Sequence, residues 1–256
     1  MYLRLVHFRI KPTTWAQLRH HYDERVIPTL QTIEGCQYAC LTQSIQHLDE
    51  GLSMTLWESP THADAYERSG TYQELVREAT PFFAESSEWR VQLSDELQVE
   101  YEPVPEEPTV QAYTVAAPLD AEIPGPEQSK AMALRVLSVH IQPGTMDEFR
   151  HLYLTEILPA LRAVKGCRYA YLTENLEAGH QVISLTIWES QEDAERYERS
   201  GLFEILLSKV QHTFSELYQW KLGLAHTFGG QLRTSEDLAV ASYTIVTGRR
   251  FKAAQD

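Results

Sequence analysis

The stretch MTLWESPTHADAYERSG, residues 54–70, decides the fold because the chain writes it a second time as LTIWESQEDAERYERSG, residues 185–201. Adding 131 to a residue number also maps Leu3 onto Leu134 and Trp89 onto Trp220, and no gap is needed between these positions. A period this long indicates a duplicated domain, since solenoid repeats are much shorter.

The duplication predicts the domain boundaries. Residues 1–100 form the first copy, called repeat 1, and residues 131–225 form the second, called repeat 2. The segment 101–130 between them is rich in Pro and Glu, which is typical of a linker. Residues 226–256 form a C-terminal extension. QAYTV at 111–115 resembles ASYTI at 241–245, so each of these two segments is predicted to carry a short strand.

Within each repeat the hydrophobic period alternates between that of a strand and that of a helix. LRLVHFRI predicts a strand, and Trp15, Leu18 and Tyr22 then begin a helical stripe. Pro28 and Pro159 are expected to kink or restart this helix. CQYACLTQS and LSMTLWES predict two strands, a second helix is interrupted at Ser69-Gly70, and SEWRVQLS predicts the last strand.

The resulting order of strand, helix, strand, strand, helix, strand is that of the ferredoxin-like unit. Such a sheet has both helices on one face, so its other face must be covered. Because the second copy is on the same chain, we expect the fold class α+β. Two tandem ferredoxin-like (βαββαβ) repeats would pack sheet to sheet as an intramolecular pseudo-dimer that forms a barrel. A further homodimer stays open.

The composition of the 256-residue chain excludes several function classes. Its net charge is −14 with no basic stripe, which argues against nucleic acid and anionic lipid as partners. No apolar run is long enough for a membrane span, and the N-terminus does not resemble a signal peptide. Three cysteines, with no pair at metal-binding spacing, are typical of a reducing cytoplasm. We therefore predict a cytoplasmic protein.

Strand three carries the candidate binding residues. Ser53, Thr55 and Trp57 alternate with Met54 and Leu56. Small hydroxyls beside a Trp can line a pocket for a flat apolar ligand, or the Trp can fill the core while the hydroxyls satisfy the backbone. The candidate set of both repeats, with one Tyr from each second helix, is Ser53, Thr55, Trp57, Tyr66, Ser184, Thr186, Trp188 and Tyr197.

Histidines give weaker hypotheses. His7 and His140 on the first strand of each repeat could act as general bases, although no partner carboxylate is identifiable. His20 and His151 repeat in register, but their helical phase places them away from the buried stripe. We expect both to be exposed, His20-His21 to be a solvated pair, and no metal to be bound.

The repeated Trp-Glu-Ser, the following helix with Ala and Tyr, and the ERSG that ends it resemble the antibiotic biosynthesis monooxygenase family. The resemblance covers both repeats. In the cofactor-independent monooxygenases of that family, an Asn four residues before the Trp accompanies it in the substrate pocket. Ser53 and Ser184 occupy these positions here. In the haem-degrading branch, a helix-two Trp and a His ten residues later are required, and this chain has Tyr66 and Val76 there, with Leu207 replacing the His in repeat 2.

The leading functional hypothesis is therefore a protein of this family that acts as a cofactor-independent monooxygenase on a small apolar or aromatic compound. The resemblance implies no cofactor for such an enzyme. One alternative is a non-catalytic small-ligand-binding or stress-related module, and a third is a haem-binding protein. Repeat 1 has Cys40 and Tyr72 where repeat 2 has Tyr171 and Phe203. We expect the roomier pocket in repeat 1.

Overall fold

The structure, a computed structural model, describes residues 1–93, 99–105, 109–118, 132–175, 180–215 and 238–250. The elements of repeat 1 and the segment that follows it are β1 (Tyr2–Arg9), α1 (Trp15–His21), α2 (Ile27–Gln31), β2 (Cys36–Ser44), β3 (Glu50–Trp57), α3 (Pro60–Arg68), α4 (Thr71–Ala79), β4 (Glu85–Leu93), β5 (Val99–Pro105) and β6 (Thr109–Pro118). Those of repeat 2 and the C-terminal extension are β7 (Ala133–His140), α5 (Met146–Leu152), α6 (Leu158–Ala163), β8 (Cys167–Asn175), β9 (Gln181–Trp188), α7 (Gln191–Arg199), α8 (Leu202–Val210) and β10 (Leu238–Arg250).

Eight strands close into one barrel in the order β1-β3-β2-β10-β7-β9-β8-β6, to which each repeat contributes three strands and the segment after each repeat contributes one, β6 or β10. The two halves use the same antiparallel register, since Tyr2 is opposite Trp57 in repeat 1 and Ala133 is opposite Trp188 in repeat 2. The two-repeat α+β prediction is confirmed.

The fourth barrel strand of each half differs from the one that the sequence predicted. SEWRVQLS does form strand β4, but β4 pairs only with β5 in a separate two-stranded sheet. The barrel position next to β1 is taken by β6, and the equivalent position next to β7 by β10. The prediction that SEWRVQLS completes the sheet is therefore wrong, and its counterpart around Trp220 lies outside the described residues.

The additional strands predicted at 111–115 and 241–245 are confirmed, and they close the barrel. Strand β6 also pairs with β8 of repeat 2, and β10 also pairs with β2 of repeat 1. Each of these strands therefore joins one repeat to the other, which leaves the barrel without an exposed edge.

Strand alternation separates two kinds of core. Even-numbered positions of β3 face the barrel interior, where buried side chains from both repeats pack together: Leu3, Leu5, Tyr38, Cys40, Leu52, Met54, Leu56, Met132, Leu134, Val136, Tyr169, Tyr171, Ile183, Leu185 and Ile187. The odd-numbered positions of β3 and the even-numbered positions of β9 face the helices, so that each repeat has its own helix–sheet core. Tyr38 and Tyr169 are both buried inside the barrel, where they belong to this shared core.

The repeated Trp-Glu-Ser has a structural explanation. Trp57 and Trp188 are fully buried, and the amides of Glu58 and Glu189 donate to the carbonyls of Gly35 and Gly166. The hydroxyls of Ser59 and Ser190 then accept a backbone N–H at the start of α3 and α7. The connection from strand to helix therefore has the same hydrogen bonds in both repeats.

The repeated Ser-Gly ends one helix and starts the next. Gly70 and Gly201 have φ values of +81° and +75°, the left-handed conformation that glycine adopts without strain. The Ser69 hydroxyl donates to the Tyr66 carbonyl, and Ser200 repeats this bond with Tyr197. These bonds fix how Tyr66 and Tyr197 enter the helix–sheet core.

Both first helices contain a π-helical turn, Tyr22–Val26 and Tyr153–Ile157, directly before the helix that carries Pro28 or Pro159. Proline has no N–H for a bond to the preceding turn, so the wider turn absorbs the missing hydrogen bond. The predicted kink or restart at both prolines is confirmed. The turn begins at Tyr22 and Tyr153, whose rings are buried against the sheet.

Candidate functional site

A cavity lies between helices and sheet in each repeat. The cavity of repeat 1 has a volume of about 80 Å³ and the equivalent cavity of repeat 2 about 40 Å³. The expectation of a roomier pocket in repeat 1 is confirmed. Both are smaller than the roughly 150 Å³ apolar cavity that holds a benzene ring, so a ring-sized ligand requires the walls to move outward.

The predicted residues divide into those that line the cavities and those that lie behind them. Ser53, Thr55 and Tyr66 line the cavity of repeat 1, and Ser184, Thr186 and Tyr197 line that of repeat 2. Trp57 and Trp188 line neither cavity. The structure therefore agrees with the reading in which Trp fills the core.

Each Trp is held by two contacts. The Trp57 indole N–H donates to the Thr55 hydroxyl at 2.9 Å, and Trp188 donates to Thr186 at the same distance. The Trp57 and Tyr66 rings stack with their centroids 5.1 Å apart, and the Trp188–Tyr197 pair repeats this at 5.0 Å. The Trp therefore sets the position of the Tyr that lines the cavity.

A second hydroxyl pair crosses from helix to sheet. The Tyr22 hydroxyl lies 3.0 Å from the Ser53 hydroxyl, and Tyr153 lies 2.9 Å from Ser184. Burial raises the pKa of both Tyr22 and Tyr153, and each serine hydrogen bond acts in the opposite direction. Both phenols stay protonated, so each pair is a neutral polar group in an otherwise apolar wall.

A buried arginine in each cavity was missed by the sequence analysis. The Arg4 side chain is only 3% exposed, and its Nε and Nη2 donate to Glu67 Oε1 at 2.9 and 2.7 Å. Its guanidinium lies 3.9 Å from the centre of the Tyr72 ring. Arg135, Glu198 and Phe203 form the same arrangement in repeat 2. The available signal was that Arg4 and Glu67 both recur at the 131-residue offset, on a strand that is otherwise apolar.

His21 also lines the cavity of repeat 1, and the expectation of a solvated His20-His21 pair is wrong for it. His21 is half-buried, and its Nε2 is fully buried with no hydrogen-bond partner among the described residues. Desolvation lowers the pKa of His21, helped by Arg25 and His20 and opposed by Glu78. The helical phase that places His20 on the exposed side does not apply to His21, which lies about 100° further round the helix, toward the cavity.

The other histidines lie elsewhere. His20 and His151 are exposed, as expected. His7 and His140 line neither of the helix–sheet cavities. Both project from the face of their strand that carries Leu5 or Val136 into the barrel interior, so neither can act on a ligand between helices and sheet. No group of three potential metal-ligating side chains comes together within the part of the chain that the structure describes.

One of the two wall differences that the sequence suggested reaches the cavities, since Tyr72 and Phe203 line them. Cys40 and Tyr171 belong to the barrel interior and do not reach either cavity. Among the equivalent positions that line both cavities, five are smaller in repeat 1 than in repeat 2, and two are larger. The smaller ones are Val6, Leu18, Val26, Val76 and Ala79 against Leu137, Phe149, Ile157, Leu207 and Val210, and the larger ones are Phe8 and Tyr72 against Val139 and Phe203.

One side of the repeat 1 cavity is formed by residues that also reach the surface. His21, Val26, Tyr72 and Val76 are all half-buried. A ligand would therefore enter between the π-helical turn and α4 without opening the barrel. None of the described helices has the length and apolarity that crossing a membrane requires.

Comparison with known proteins agrees with this architecture. The model of the family described as antibiotic biosynthesis monooxygenase matches residues 1–78 and 132–205, more than half of the chain. No curated protein sequence matches the chain significantly.

Three solved structures share the fold over almost the whole chain. A presumed monooxygenase from Fusobacterium nucleatum has a TM-score of 0.67 at 8% identity, over 97% of this chain and 94% of its own. A presumed monooxygenase from Lactobacillus acidophilus has a TM-score of 0.63 at 7% identity, over 97% and 95%. An anthrone oxidase-like protein has a TM-score of 0.56 at 14% identity, over 99% and 94%. At these identities the likeness concerns the fold alone.

Proposed function

Because the chain belongs to the antibiotic biosynthesis monooxygenase family, we propose that it binds a compact apolar or aromatic molecule in the repeat 1 cavity. We further propose that this molecule is the substrate of a cofactor-independent oxygenation. In such a reaction a methylene group beside a carbonyl becomes a second carbonyl. One oxygen atom of O₂ enters the product, and the other leaves as water with the two methylene hydrogens.

The observation that carries the proposal is the composition of the repeat 1 cavity. Apolar side chains form most of its wall. The polar groups in the wall include the Arg4 guanidinium and the hydroxyls of the Tyr22–Ser53 pair. Ligand sites have this composition, in which apolar walls exclude water and a few polar groups orient the ligand. A buried guanidinium also stabilises the enolate that must form before O₂ can react.

The size of the cavity limits the substrate. A single ring, or a compact two-ring molecule, is the largest ligand that a modest outward shift of α4 and Tyr72 can admit. The same limit argues against haem, and the positions that would supply the haem-degrading branch with its iron ligand hold Val76 and Leu207. Haem binding is therefore not proposed.

The test uses 2-indanone, a small ketone with acidic methylene groups. Purified protein is expected to bind it and to consume one O₂ per molecule converted to the diketone. The variant Val76→Leu, which copies Leu207 of repeat 2, should lower both binding and O₂ uptake. Leu207→Val is the matched control, and it should change neither by more than about twofold, because position 207 lies in the other cavity.

Two results would contradict the proposal in different ways. Binding without any O₂ uptake, for 2-indanone and for related single-ring ketones, would leave a ligand-binding protein and refute the oxygenation. Binding that does not respond to Val76→Leu would refute the assignment to the repeat 1 cavity.

A further inference from the structure

We infer that His21 is the proton acceptor of the repeat 1 cavity, and that the ligand it recognises carries an enolic or phenolic hydroxyl. This inference rests on the proposed function, because it concerns the ligand of the same cavity. It adds a residue for which repeat 2 has no counterpart, since Leu152 stands at the equivalent position.

The first support is the unsatisfied nitrogen. Buried polar atoms in folded proteins almost always have a hydrogen-bond partner, and each exception needs an explanation. His21 Nε2 is buried and unpartnered among the described residues, and the same side chain lines the cavity. A hydroxyl of a bound molecule would supply the missing partner.

The second support is the charge state of the ring. Neutral imidazole has one donor and one acceptor nitrogen, so a neutral His21 with its proton on Nδ1 presents Nε2 as an acceptor. The environment favours the neutral form, because desolvation of the ring lowers its pKa and Arg25 and His20 act in the same direction. Glu78, on α4 and paired with Arg25 at 2.9 Å, is the opposing charge, and desolvation of the ring outweighs it.

The third support is the position of Arg4 in the same cavity. When the ligand hydroxyl gives its proton to His21 Nε2, the O–H bond breaks, an N–H bond forms and the electron pair stays on oxygen. The resulting enolate or phenolate is then stabilised by the Arg4 guanidinium. The transfer needs no other reactant, and it produces the activated anion that the proposed oxygenation requires.

The charge of the whole chain fits a ligand that arrives neutral. A net charge of −14 repels anions, and the carboxylate of Glu67 lies beside Arg4, so an anion that approaches Arg4 meets a like charge. A ligand with a protonated hydroxyl avoids this repulsion and ionises only after it is bound. Carboxylates and phosphates are therefore disfavoured.

The test compares phenol with anisole, its methyl ether, which has the same ring and no hydroxyl proton. Wild-type protein at pH 7.5 should bind phenol about fivefold to tenfold more tightly than anisole, the effect of one neutral hydrogen bond. His21→Leu, which copies Leu152, should abolish this preference and leave anisole affinity within about twofold. His21→Gln, which keeps an acceptor, should restore part of it.

The ¹⁵N shifts of the His21 ring provide a readout that a structural role would not change. Phenol should shift the Nε2 resonance, and anisole should not. The preference for phenol should also disappear as the pH is lowered to where His21 becomes protonated. His20→Leu, which removes the exposed neighbour, is the control and should retain the preference.

Each outcome separates this inference from the proposed function. If both compounds bind wild-type protein equally, or if His21→Leu keeps the preference, His21 is not the acceptor although the cavity still binds ligands. If neither compound binds and 2-indanone does not bind, the proposed function and this inference both fail.

Discussion

The cavity of repeat 1 and the cavity of repeat 2 share a frame and differ in their walls. The frame is the buried Arg paired with Glu, the Tyr stacked on Trp, and the Tyr–Ser hydroxyl pair, and its distances agree closely between the halves. The walls differ in the size of their side chains and in polarity, since among the described residues a histidine lines the cavity of repeat 1 and none lines that of repeat 2. The frame holds helices to sheet in both halves, whereas the walls are where the two copies have diverged.

An ion pair on the surface of each repeat shows the same divergence. Arg25 pairs with Glu78 in repeat 1, and the equivalent residues of repeat 2 are Glu156 and Lys209, which pair with the charges reversed. The contact between the π-helical turn and the second helix is therefore kept while its charges are exchanged. In repeat 1 both charges act on His21: Glu78 raises the pKa of His21 and Arg25 lowers it, while desolvation is the larger effect and lowers it overall.

The largest expected effect tests whether the frame is the same in both halves. Trp57→Ala and Trp188→Ala should each lower the free energy of unfolding by about 3–5 kcal/mol. Each change removes a fully buried indole and the ring that stacks on Tyr66 or Tyr197. Urea unfolding followed by circular dichroism measures both. If the two losses in free energy of unfolding differ by more than about 2 kcal/mol, the two Trp side chains are packed differently despite their similar contacts.

The next effect concerns the buried arginines. Glu67→Gln and Glu198→Gln should each destabilise the chain by about 1–3 kcal/mol, because a buried guanidinium then loses its charged partner. Arg4 makes two hydrogen bonds to Glu67, whereas a single one joins Arg135 to Glu198, so Glu67→Gln should cost more. Denaturant titration of both variants checks the order, and a larger cost for Glu198→Gln would contradict it.

A smaller effect distinguishes the halves by pH. The pKa of His21 is below 6.5 in the folded chain, and about 6.5 when the chain is unfolded. Between these two pH values the unfolded state binds more protons, so the free energy of unfolding falls as the pH decreases through this window. The part of the fall that His21 causes should be absent from His21→Leu and present in His20→Leu. Denaturant unfolding at several pH values from 8 to 5 measures this fall. If the free energy of unfolding depends on pH in the same way in wild type and His21→Leu, the lowered pKa of His21 is excluded.

The smallest effect comes from the surface ion pairs. Arg25→Glu should slightly lower the melting temperature, because it places a second carboxylate beside Glu78, and adding Glu78→Lys should restore it. The double variant reproduces the charges of Glu156 and Lys209. Thermal unfolding at low salt measures the melting temperatures of both variants. If adding Glu78→Lys recovers none of the stability lost in Arg25→Glu, the ion pair is not interchangeable between the repeats.

The sequence predicted the parts of the fold that depend on local periodicity. The helix interruptions at Pro28 and Gly70, and the face that Ser53 and Thr55 share, follow from helical and strand periods. Local periodicity could not decide which strand pairs with β1 in the barrel, because β4 and β6 both have strand-like sequences. The choice depends on pairing between β6 and β8, which are distant in sequence.

The site was harder to predict because its members come from separate elements. Arg4 on β1 and His21 at the end of α1 meet Ser53 only through tertiary packing. A search for positions that recur at the 131-residue offset would have found Arg4 and Glu67. The same search would have passed over His21, since it has no counterpart in repeat 2.

The most direct measurement is a crystal structure of the protein soaked with 4-bromophenol, in which the anomalous signal of bromine locates the ligand. The account predicts bromophenol in the repeat 1 cavity, with its hydroxyl within hydrogen-bonding distance of His21 Nε2, and none between the helices and sheet of repeat 2. Equal occupancy of the two cavities, or occupancy of repeat 2 alone, would contradict the claim that the walls of repeat 1 make it the ligand site.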